Sequence, residues 1–141
     1  IETCKDGEQG FRSAAEKVKE SSLKSLFTKY SSQRAEYARE LQSLVAQLGG
    51  DAATSGHASA ALHRGWMSLK EALSKNEDKA LIDECEAGED AAVKTYREAR
   101  GKALPGNVAA IVQRQAAGVE DAHRVLSDLK HGRAAAAASR I

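Results

Sequence analysis

The stretch LKSLFTKYSSQRAEYARELQSLVAQLGG occupies residues 23–50. Leu23, Phe27, Tyr30, Arg34, Tyr37, Leu41, Leu44 and Leu48 recur in it at alternating steps of four and three. That spacing lines one face of a single long helix. Gly49-Gly50 is a stop signal, since glycine closes a helix at no steric cost. A helix of this length needs neighbours of similar length to bury its seam.

The rest of the chain supplies them. Upstream, Ile1, Cys4, Glu8, Phe11, Ala15 and Val18 form a narrower seam, with Ser21-Ser22 read as the break and a serine as N-cap. Downstream of a polar loop at 51–56, Leu62, Trp66, Leu69 and Leu73 mark a shorter helix at about 58–73. Ile82, Cys85, Glu89, Ala92, Tyr96, Ala99 and Ala103 form the next long seam, which Pro105-Gly106-Asn107 ends. Val108, Val112, Gln115, Val119, Ala122, Leu126 and Leu129 form the last, which His131-Gly132 stops. Residues 133–141 have helix propensity without an amphipathic pattern and read as a frayed tail. The predicted fold is therefore all-α. Two short hairpins over 1–132 are joined by a long crossover carrying the short helix, as in a one-crossover four-helix bundle.

Composition agrees. The chain has 141 residues, 42% hydrophobic, 4% aromatic and one proline, which suits one helical domain. Lys+Arg is 21 against Asp+Glu 20, a net charge of +1. This lacks the basic signature of a nucleic-acid binder. No apolar run reaches the length of a membrane span, and no signal-peptide core is visible. A cytoplasmic protein without nucleic-acid or membrane partners is expected. Both thiols, Cys4 and Cys85, are expected reduced and buried, with a Cys4–Cys85 bridge left open. A homodimer through an outer helix face is the expected assembly.

Cys4-Lys5-Asp6-Gly7-Glu8 and Cys85-Glu86-Ala87-Gly88-Glu89 share the pattern C-x-x-G-E, so the first and third long helices read as repeats. Gly7 and Gly88 each cost about 1 kcal/mol against alanine inside a helix. Close approach by a neighbour, or room for a ligand, would compensate. The seams carry Glu8, Arg34, Tyr37 and Glu89, and the last helix adds Glu120 and His123 at i and i+3. Di-iron bundles draw one Glu from each of two helices and Glu-x-x-His from each of the other two. Glu8, Glu89, Glu120 and His123 match three of these contributions. Arg34 and Tyr37 stand where the fourth belongs, and arginine has no lone pair for a metal. Three convergent carboxylates against one arginine would leave a charge deficit. Protonation would relieve it, and so would a single divalent cation (Fe, Zn or Mn). Two readings remain: a buried Glu/Arg/His network around Arg34, and one metal held by Glu8, Glu89, Glu120 and His123.

Ala87-Gly88-Glu89 and Val119-Glu120-Asp121-Ala122-His123 resemble the ferritin-like superfamily, its rubrerythrin branch in particular. The segments at 4–11, Gln33-Arg34-Ala35-Glu36, Leu62-His63-Arg64-Gly65-Trp66-Met67 and Gly88-Glu89-Asp90 are similar to uncharacterised bacterial ferritin-like proteins known only as a domain of unknown function. The resemblance implies a ferritin-like bundle in a bacterial cytoplasm and no assigned activity. The first functional reading is a non-enzymatic structural or stress-related protein with a degenerate metal site and no catalytic residues. The alternative is a metal-binding oxidoreductase or metal-storage-related protein. Trp66 is expected to pack the crossover helix, His63 to make a hydrogen bond, and His57 and His131 to be exposed.

Overall fold

A computed structural model describes residues 1–50, 69–75 and 77–132. These form five helices: α1 Glu2–Lys17, α2 Ser21–Gln47, α3 Leu69–Ser74, α4 Asp78–Arg100 and α5 Gly106–Lys130. No strand occurs among the described residues. The expectations for the loop at 51–56, for His57, His63 and Trp66, and for the tail at 133–141 lie outside them.

α1 pairs with α2, and α4 pairs with α5. The two hairpins pack through α1 against α4 and, over a smaller area, α2 against α5; α3 lies on α4 and α1. The directions follow from specific contacts. Asp78, the first residue of α4, accepts the backbone N–H of Lys19 at 2.8 Å and of Glu20 at 3.0 Å, just past the end of α1. Cys4, in the first turn of α1, meets Tyr96 in the last two turns of α4. So α1 and α4 run antiparallel. α2 and α4 start at the same end and run the same way, and α2 stops at the end opposite to the start of α4. That is the order a one-crossover topology requires.

The helix ends have local causes. α2 closes at Leu48 in a Schellman motif: Gly49 takes φ +83°, its N–H reaches Ala46 O, and Gly50 N–H reaches Val45 O. Gly132, at φ +75°, ends α5 in the same manner. The α1–α2 break falls at Val18–Glu20, three residues before Ser21-Ser22. Val18 leaves the helix with an extended backbone, and Glu20 precedes α2 with no side-chain cap. No serine caps α2; Asp78 instead fixes the linker just before it. A carboxylate from the other hairpin satisfies the two amides, and a charged acceptor is stronger than a hydroxyl.

The predicted seams are largely the buried faces. Leu23, Phe27, Tyr30, Arg34 and Leu44 of α2 are buried, as are Val112, Gln115, Val119, Ala122 and Leu126 of α5. Leu48, just past the end of α2, is 63% exposed. The core falls into two apolar clusters. One, at the Asp78 end, contains Phe11, Leu23, Leu26, Phe27, Leu81 and Leu126. The other, at the far end, is built from Cys4, Ala38, Val93, Tyr96, Val112 and Val119. Asp78→Ala should remove the acceptor for two amides and lower unfolding free energy by about 1–3 kcal/mol, read from urea denaturation with an unchanged m-value.

Candidate functional site

Between the two clusters lies a buried ion pair. Arg34 on α2 and Glu89 on α4 are both essentially inaccessible. Arg34 Nη1 donates to Glu89 Oε1, and Nη2 donates to Oε2 at 2.7 Å. This bidentate fork joins the two diagonal helices across the centre. Two neighbours make room for it. A Cβ on Gly7 would stand 3.2 Å from Arg34 Cγ, so the glycine of the first C-x-x-G-E copy lets the arginine stem pass. The guanidinium also lies over the Phe11 ring, 5.6 Å from its centroid. Burial alone would weaken the guanidinium's hold on its proton; the charge and hydrogen bonds of Glu89 overturn that and leave its pKa raised.

A second polar arrangement crosses all four long helices. Tyr96 on α4 donates its hydroxyl proton to Gln115 Oε1 on α5 at 2.7 Å. The Cys4 thiol on α1 lies 3.0 Å from the same phenol oxygen and is therefore the donor to it. Gln115 Nε2 donates to Glu40 Oε1 on α2 at 2.7 Å, and Arg114 holds the other Glu40 oxygen at the surface. The ladder thus runs from a buried thiol to a surface ion pair with every donor pointing the same way. Burial pushes the Cys4 and Tyr96 pKa values up, which keeps both neutral. Burial does the same, more strongly, at Cys85. Sequence periodicity placed Gln115 and Tyr96 on their seams without assigning them a role; a glutamine among Val and Ala was the available signal.

The four candidate ligands occupy separate positions. Glu89 is committed to Arg34. Glu8 reaches Arg12 at 2.7 Å on the surface of α1. Glu120 reaches Arg100 at 3.0 Å. His123 Nε2 lies 3.0 Å from Glu86 Oε1 and 3.6 Å from Asp90 Oδ1, and Lys130 holds the other Glu86 oxygen. Among the described residues, no group of three or more His, Cys, Asp and Glu is arranged to hold a metal ion. As placed, the residues do not fit a di-metal centre. Only Glu89 of the three acids faces inward, so the expected charge deficit around Arg34 does not arise. Glu8 and Glu120 sit one step off the seam, where a flexible carboxylate stays hydrated and finds a cation without the desolvation cost.

Tyr37 is half-buried, and its carbonyl accepts from Gln115 Nε2 at 3.4 Å. Its hydroxyl occupies the space over Gly118, where a Cβ would come within 2.1 Å. It fills the α2/α5 seam and does not contact Glu89 or His123 through any hydrogen bond. The Cys4–Cys85 bridge is excluded. Both thiols are free, and Cys85 lies eleven residues along α4 from Tyr96, the partner of Cys4. That is about 16 Å at the helical rise, beyond disulfide reach.

Fold and site together define a helical protein whose two hairpins are locked by buried polar pairs. More particularly, the chain belongs to the family described as Domain of unknown function (DUF2383), which matches residues 1–102. The resemblance to an uncharacterised domain family thus holds at that level; the description names no ferritin-like superfamily. No curated protein matches the chain. None of the described helices is long and apolar enough to cross a membrane.

Two outcomes test the site. Arg34→Met should destabilise the protein by about 3–5 kcal/mol, because it strands a buried carboxylate, whereas Arg34→Met with Glu89→Leu should restore most of that loss in denaturant titrations. The second concerns acid. The Arg114 hydrogen bond, opposed by burial and helped by Gln115, holds the Glu40 carboxyl below its ordinary 4.5. A depressed folded pKa gives stability that is present above 4.5 and lost as pH falls through the folded value. Glu40→Gln should therefore flatten the acid limb of the stability profile below pH 4.5.

Proposed function

We propose that this chain is a ferritin-like four-helix scaffold with a degenerate metal site, acting as a structural or stress-related protein and not as an enzyme. The observation that carries this reading is the bidentate Arg34–Glu89 pair at the centre of the described core. A metal would supply positive charge to an inward carboxylate; here the arginine supplies it, and the pair is neutral by itself. The antiparallel order of neighbouring helices and the opposite-end start of α4 support the ferritin-like architecture. In the adjacent polar ladder the Tyr96 proton and the Gln115 amide are already committed. Such a network specifies which helix faces meet. A homodimer in a bacterial cytoplasm remains part of the proposal, on the resemblance.

The alternative, an oxidoreductase or metal-storage-related protein using Glu8, Glu89, Glu120 and His123, requires the three glutamates to leave their arginines and His123 to leave Glu86 and Asp90. Elemental analysis of protein purified without chelator and then offered Fe(II), Zn(II) or Mn(II) decides between them. The scaffold reading expects metal well below one equivalent per chain and an unfolding midpoint that metal does not move. One tightly held equivalent that is lost on Glu120→Ala and His123→Ala would establish the alternative.

A further inference from the structure

The Arg34–Glu89 layer separates two ends of unequal make-up. At the Asp78 end the buried side chains include Phe11, Leu23, Leu26, Phe27, Leu81 and Leu126, and Cys85 lies among them. At the far end the fully buried members are smaller, chiefly Ala38, Ala92, Val93, Val112 and Val119, together with Cys4 and Tyr96. Small side chains remove less apolar surface from water on folding. Among neighbouring long helices, α2 and α5 touch least along their length. That seam is closed by Tyr37 over Gly118, by Gln115, and at the surface by the Glu40–Arg114 pair. A partly exposed ion pair is worth at most about 1 kcal/mol, a several-fold effect on an opening equilibrium, and is screened by salt. The Asp78 end has the opposite features: large apolar side chains and a carboxylate tying one hairpin to the turn of the other.

We propose that the Cys4 end of the molecule opens as a unit beyond the Arg34–Glu89 layer while the Asp78 end stays folded. The two buried thiols, one on each side of the layer, then experience different stabilities. Opening parts α2 from α5 and α1 from α4 at this end, frees Gln115 from Glu40 and Cys4 from Tyr96, and brings the Cys4 thiol and the inner face of Arg34 to water. Cys85 is reached only when the whole chain unfolds.

The test uses the intact chain under native conditions. It is treated with N-ethylmaleimide, and the modification of each cysteine is followed by peptide mass spectrometry. Cys4 is expected to react at least about tenfold faster than Cys85, as a sub-global opening lies below the global unfolding free energy. Arg114→Ala, a change at an exposed side chain, should speed Cys4 several-fold and leave Cys85 unchanged. Amide exchange should be faster across 106–119 and 37–47 than across 81–88. Equal rates at the two thiols would overturn the proposal. So would a fast Cys4 that ignores Arg114→Ala, since that marks fraying of the first turn of α1 alone.

Discussion

The Arg34–Glu89 pair is the constraint on which the rest of the structure depends. α2 and α4 are diagonal across the molecule, so the long guanidinium has to cross the centre to reach its partner. That crossing is eased by the glycine at position 7 and by the Phe11 face beneath the cation. Desolvating two charges costs several kcal/mol per ion, and only a bidentate geometry with both oxygens engaged offsets it. The pair therefore contributes modestly to net stability and strongly to uniqueness. A rotation of α4 by one residue would carry Glu89 off the seam by about 100° and strand Arg34 in an apolar interior.

The polar ladder works on the same principle with neutral groups. Each buried donor has an acceptor, from the Cys4 thiol through Tyr96 and Gln115 to Glu40. Its surface end is the Glu40–Arg114 pair, where water relieves the desolvation cost. Between them, the ion pair and the ladder specify how the two hairpins face each other, while apolar burial supplies the driving force. Phe11, Phe27 and the leucines around them are each worth about 1.5–3 kcal/mol on burial. The far cluster, poorer in such groups, relies more on specific hydrogen bonds.

Much of this was legible in the residue order. Steps of three and four located all four long helices and most of their buried faces, because a 3.6-residue period leaves few alternatives for leucines and valines. Gly49 marked the end of α2 because a left-handed position is where glycine is favoured. The α1–α2 break was misplaced because its determinant is Asp78, nearly sixty residues away, and no local pattern contains it. The site was harder still. One step along a helix separates Gly7, which is buried, from Glu8, which reaches solvent. Periodicity cannot resolve that step when the side chain is long enough to choose its partner. Glu86 and Asp90 likewise became the neighbours of His123 through packing of α4 on α5.

The broken repeat explains why one glutamate is buried and its counterpart is not. The offset that carries Cys4 onto Cys85 and Glu8 onto Glu89 also carries Arg34 onto Gln115 and Arg12 onto Val93. An inward Glu8 would therefore have, at the position equivalent to Arg34, a neutral amide, which cannot offset the loss of hydration of a carboxylate. One turn further along its own helix it has Arg12, and it turns there. Glu89 has the reverse choice. One turn along α4 it finds Val93, and across the core it finds a guanidinium whose one competing side-chain hydrogen bond among the described residues is a long one to Gln33. Identical motifs thus take opposite fates because their surroundings exchanged a cation between the surface and the core. Gln115, relieved of any carboxylate partner on α1, is free to bridge Tyr96 and Glu40. The asymmetry that removes a second buried acid is what creates the ladder.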